Sequence, residues 1–113
     1  MSTRATIKFS DGNDEYFIYR HHDGYPDGDI IPDLEKTILK TKGRWSDPDV
    51  GMMTTAFLCM NNDFEKERIP SYEITPCFHG DESYIYHLTW NEKTDKWECG
   101  MLKKADFEEF RPF

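Results

Sequence analysis

The sequence predicts an α+β domain: a mainly antiparallel sheet of about five strands, in the order β-β-α-α-β-β-β, with two helices on one face. Three observations carry this reading. Apolar and polar residues alternate in the first and last thirds of the chain, a helix-period stretch fills the middle, and turn-forming clusters separate the runs. At 113 residues the chain suits one domain spanning 1–113, with residues 103–113 as a short closing helix or docking tail. A domain of that size closes a single core without metal or disulfide staples. An aromatic content of 15% supplies large apolar side chains and speaks against disorder.

In residues 3–9, Ala5, Ile7 and Phe9 share one face, opposite Arg4, Thr6 and Lys8, as in a half-buried strand. The turn cluster at 10–14 then leads into a second strand over 15–22, and the two should form a hairpin. Tyr16-Phe17-Ile18-Tyr19 is bulky on both faces, which places this strand centrally or beneath a second contact surface. Residues 22–29 form a loop, with two glycines and a proline. A helix is expected over 32–41, with Leu34 and Ile38 on one face, basic residues in the last turn and Gly43 as the stop. A second helix should open with Ser46 or Asp47 as cap and Pro48 just inside. Its core stripe would be Met52, Ala56 and Met60, flanked by Met53 and Phe57, and Asn61-Asn62 would end it. Period two returns with Tyr72, Ile74 and Phe78, where Pro76 implies an edge strand or an early end. Tyr84, Tyr86, Leu88 and Trp90 line a fourth strand, 91–95 is a turn, and Trp97, Cys99 and Met101 line a fifth. In the tail, Phe107, Phe110 and Phe113 recur every three residues.

Twenty-two acidic against 14 basic residues give a net charge of −8. That balance argues against direct binding to nucleic acid, whose phosphates call for Lys and Arg. Basic protein surfaces and divalent cations are the natural electrostatic partners. No run reaches the roughly 18 apolar residues of a membrane span, and the N-terminus lacks the apolar stretch of a secretion signal. Cys59, Cys77 and Cys99 are odd in number and widely spaced, which fits reduced, buried thiols in a cytoplasmic protein.

The acidity is uneven. Asp11, Asp14, Glu15, Asp23, Asp27, Asp29 and Asp33 share one stretch with a single cation, Arg20. Such a stretch serves either as a solvated loop or as an acidic rim aimed at a basic partner, with Tyr25 as aromatic anchor. The segment starting at Asp23 fails the calcium-loop register: Tyr25 stands third and Leu34 twelfth, where ligands are needed. His21-His22-Asp23 is the most enzyme-like spot, and His21, His22 and Asp23 are the catalytic candidates. Adjacent histidines on a strand point to opposite faces, so one metal would not easily take both. His79 and His87 would add imidazoles if the second hairpin lay alongside. No nucleophile elbow, phosphate-binding glycine loop or dinucleotide fingerprint occurs; no cofactor is expected and no residue is singled out as a metal ligand, although irregular oxygen ligation leaves a looser cation site open at the Asp23 loop.

Ser2-Thr3-Arg4 before a short strand, followed by Tyr19-Arg20-His21-His22-Asp23-Gly24-Tyr25-Pro26, resembles a group of small uncharacterised bacterial and phage proteins. These begin Ser-Thr-Arg and carry a Tyr-x-His-x-Asp-Gly-Tyr-Pro motif. The resemblance covers the first quarter of the chain. It implies that 19–26 is a shared feature and that the origin is a phage or mobile element, and it assigns no catalytic residue.

The leading expectation is a small non-enzymatic binding or inhibitory protein of the cytoplasm. It would act on a host protein with a basic surface through Asp23, Tyr25, Asp27 and Asp29, without contacting nucleic acid or membrane. Its first rival is a small hydrolase or nuclease-like enzyme using His21, His22 and Asp23, with or without a divalent ion. The second is a small-molecule binder, as a homodimer, with Tyr84, Tyr86, Trp90 and Trp97 lining its pocket.

Overall fold

The computed structural model describes residues 3–102. Strands β1 (Ala5–Ser10) and β2 (Glu15–Arg20) form the expected hairpin, paired from Ala5↔Arg20 to Ser10↔Glu15. Asp11 builds its turn: one carboxylate oxygen accepts the Asn13 and Asp14 N–H groups at 2.9 and 2.8 Å, which holds the acid below its ordinary pKa.

Helix α1 (Ile30–Thr41) begins two residues before the expected start, with Pro32 still in its first turn. Its buried face is Ile30, Leu34, Thr37 and Thr41. The two threonines are tolerated there because each hydroxyl donates to the carbonyl four residues back, at 2.8 Å. Gly43 takes φ +79° beyond the helix end, as a stop requires.

Helix α2 (Val50–Asn61) corrects the sequence reading twice. Its cap is Asp49, whose carboxylate accepts the Met52 N–H at 3.0 Å, so Pro48 lies outside the helix. Its buried face is Val50, Met53, Thr54 and Phe57, while Met52 is 45% exposed and Ala56 and Met60 only half-buried. Apolar residues run almost all round α2, so spacing alone cannot select the inward face. Thr54 hides its polarity by donating to the Val50 carbonyl at 2.7 Å.

The remaining strands are β3 (Tyr72–Thr75), β4 (Tyr84–Asn91) and β5 (Lys96–Leu102), and the sheet order is β3-β2-β1-β4-β5. Three neighbouring pairs are antiparallel, and β1 with β4 is parallel. The central strands are therefore β2, β1 and β4. As expected, β3 is an edge strand and stops before Pro76. The expected alternation breaks there: Ile74 is exposed, and Phe78 lies past the strand end on the opposite face.

Both helices cover one face. Ala5, Ile7, Phe9, Ile18, Tyr72, Tyr86 and Leu88 meet Leu34, Met53 and Phe57 in the main core, where the Phe57 ring stands edge-on to Phe9 and Tyr72. The second face is covered in part by the crossover, residues 76–83, that carries the chain from β3 to β4. Phe78 packs on Phe17 and Ile85 there, which explains why β2 is bulky on both sides. Cys77 and Cys99 are half-buried free thiols, but Cys59 is exposed, against the expectation that all three are buried. No helix among the described residues is long and apolar enough to cross a membrane. The Phe107, Phe110 and Phe113 tail lies outside the described residues.

Candidate functional site

The acidic loop is a built structure. Gly24 presses so closely on β1 that a Cβ there would sit 2.7 Å from the Ala5 Cβ and 3.1 Å from the Thr3 carbonyl oxygen. Its N–H donates to Thr3 O at 2.9 Å, and its own carbonyl accepts the buried Tyr86 hydroxyl at 2.6 Å. Arg20 lies under the loop, almost fully buried. Its Nε donates to the His22 carbonyl at 2.8 Å, its guanidinium stands 4.8 Å over the Tyr72 ring, and Nη2 reaches Asp29 at 3.7 Å.

Several carboxylates of this stretch are engaged inside the fold. Asp33 accepts the Tyr72 hydroxyl at 2.7 Å, Glu15 pairs with Lys8 at 3.2 Å, and Asp11 closes its turn. Asp23, Tyr25, Asp27 and Asp29 remain exposed on the loop. Asp23 takes the left-handed φ of +58° and accepts the Tyr25 hydroxyl at 3.1 Å, a bond that pushes the Tyr25 phenol pKa up. Asp29 stands at the N-cap of α1 without capping it by its side chain.

The catalytic candidates are given different partners. His21 pairs with Glu73 (Nε2 to Oε1, 2.7 Å), Asp23 bonds Tyr25, and His22 is exposed. His79 does come alongside, stacked 3.7 Å from the Tyr19 ring, with His21 edge-on to the same ring at 4.8 Å. His87 lies elsewhere, over Gly100 of β5, where burial lowers its pKa. Tyr19 donates to the Asp81 carboxylate (3.0 and 3.1 Å to its two oxygens), and Asp81 also meets Arg4 at 3.4 Å. Glu82, 5% exposed, accepts the His79 N–H at 2.8 Å, the Gly80 N–H at 2.6 Å and the Thr6 hydroxyl at 2.5 Å.

Sequence reasoning missed Glu73, Asp81, Glu82, Arg4 and Tyr19. The one local signal was Gly80 two residues before Glu82, the spacing of a carboxylate turning back on its own loop. Among the described residues no three His, Cys, Asp or Glu side chains form a group that could hold a metal ion. Of the aromatics proposed to line a pocket, Tyr86 is core, and Trp90 and Trp97 border a cleft.

Burial raises the Tyr19 and Tyr86 phenols to about 12, and Tyr72 further still. The unfolded chain ionises its tyrosines near 10. Stability conferred by the neutral phenols is therefore complete below pH 10 and falls as pH rises from 10 to 12. Melting temperature across that window, followed with tyrosinate absorbance, should show the loss together with a set of tyrosines that ionise late. Uniform ionisation near pH 10 in the folded protein would contradict this burial.

No protein-family model, curated protein or solved structure matches the chain.

Proposed function

We propose that the protein is a non-enzymatic binding protein whose Asp23, Tyr25, Asp27 and Asp29 occupy a basic surface on a partner protein. The observation that supports this reading most is the tethering of the acidic loop through Gly24, with the loop's one cation used beneath it. A loop already held in place loses little entropy on binding, and an exposed tyrosine among carboxylates suits a positively charged partner. The resemblance at 19–26 supports a phage or mobile-element origin, in which case the partner is a host protein of the cytoplasm.

The triple variant Asp23→Lys, Asp27→Lys, Asp29→Lys reverses the loop's charge at exposed positions. It should keep the wild-type circular dichroism and weaken binding at least about tenfold for the partner captured at low salt, with affinity in the wild type falling as salt rises. Unchanged affinity in the folded triple variant overturns the reading.

A second reading, a small hydrolase, draws on the 2.7 Å contact of His21 with Glu73, the arrangement of an imidazole held by a carboxylate for acid–base work. It names Glu73 in place of His22 and Asp23 as the partner of His21. Hydrolysis of generic ester and phosphodiester substrates that disappears in His21→Gln would favour it.

A further inference from the structure

All three tryptophans of the chain gather at the C-terminal end of α1, about 18 Å along that helix from the acidic loop. Trp90 and Trp97 are a cross-strand pair of β4 and β5, with rings 5.4 Å apart at 69°. They border a cleft of about 320 Å³ together with Lys42, Asp47, Asp95 and Lys96. Trp97 is the nearly buried floor, fixed by donating Nε1–H to Asp47 Oδ1 at 3.1 Å, and Trp90 is the more open wall. Thr41 also lines an adjoining cleft of about 340 Å³, which holds Trp45 with Lys40 and Arg44.

The cations need separate explanations. Lys40, Lys42 and Arg44 suit the partial negative charge of a helix C-terminus, and Arg44 Nε donates to the Lys40 carbonyl at 3.0 Å. Lys96 comes from a different element, the start of β5, and the α1 terminus does not account for its place beside the same indoles. In a chain of net charge −8, this cleft combines two lysines, a half-buried indole and two carboxylates able to accept from amino or hydroxyl groups.

We propose that the cleft binds a nucleoside monophosphate. Its base stacks on Trp90, its phosphate is held by Lys42 and Lys96, and an amino or ribose hydroxyl group donates to Asp47 or Asp95. The cleft is at the small end of ligand pockets, roughly 300–1,000 Å³. A base stacked on an aromatic ring, together with a phosphate contact, supports affinity in the millimolar range. The site is separate from the acidic loop, so neither proposal depends on the other.

The test titrates the full chain, carrying Trp45→Phe so that fluorescence reports only Trp90 and Trp97, with AMP, GMP, CMP and UMP, and confirms affinities by calorimetry. Saturable quenching by at least one of them is expected. The Lys42→Ala, Lys96→Ala double variant, altered only at exposed positions, should bind that nucleotide at least tenfold more weakly while binding its nucleoside as the parent does. Trp90→Leu should lose nucleotide and nucleoside alike while keeping a cooperative melt. If Trp90→Leu does not fold, the lysine pair alone decides. The proposal is overturned by no saturable signal up to about 5 mM, beyond the millimolar limit of weak binding. It is also overturned by equal affinity in the double lysine variant, or by inorganic phosphate binding as tightly as the nucleotide.

Discussion

Glu82→Ala is expected to lower the free energy of unfolding by about 3–5 kcal/mol, a large fraction of the roughly 5–15 kcal/mol that holds a domain together. The buried carboxylate of Glu82 accepts two backbone N–H groups of its own crossover and the hydroxyl of Thr6 on β1. Burying a carboxylate is costly in itself, so its net contribution depends on all three donors being present. Alanine removes the acceptor and strands those donors, each at about 1–3 kcal/mol unless water enters. Glu82→Gln keeps one carbonyl acceptor and should cost about half as much. Asp81→Asn, on the neighbouring exposed residue, should cost under about 1 kcal/mol. Urea denaturation of the three variants is the measurement. A loss below about 1 kcal/mol in Glu82→Ala would mean that the crossover is held by Phe78 packing alone.

Gly24→Ala should cost about 1–3 kcal/mol and weaken partner binding together with stability. The added methyl would meet a Cβ of β1 at 2.7 Å and backbone atoms at 3.1 and 3.2 Å, none of which belongs to a flexible side-chain end. The loop must lift, and lifting it breaks the bonds from Gly24 to Thr3 and from Tyr86 to Gly24. Steric conflict with Ala5 makes a specific forecast: adding Ala5→Gly to Gly24→Ala should restore part of the loss, so the two changes are non-additive. Strict additivity in denaturation would show that the clash with Ala5 is not the cause.

Much of the fold was legible because its signals are local. Alternation at Ala5, Ile7 and Phe9, turn chemistry at Asp11 and the stop at Gly43 act over a few residues, and each stands where expected. The face of α2 was not legible, since its inward side is decided by what Phe9 and Tyr72 offer to Phe57. The parallel partnership of β1 with β4 left no mark either, because strand order depends on where the crossover travels. The same holds for the polar cluster on that face. His21 was visible as a candidate, whereas its partner Glu73 lies 52 positions away. The acidic loop could be read from charge alone, but its attachment through Gly24 needed the sheet to be in place.

The arrangement of the sheet also sets a timetable for synthesis. Thr6 and Glu82 are 76 positions apart, and β4, the parallel neighbour of β1, begins only after that acceptor. At roughly 5–20 residues per second, the first hairpin would leave the ribosome on the order of 4–15 s before the strand that seals its open side. During that interval the free edge of β1 can pair with any extended chain nearby. Slow elongation or crowded polysomes should therefore raise the yield of misassembled protein, whereas refolding of the complete chain in dilute solution should not.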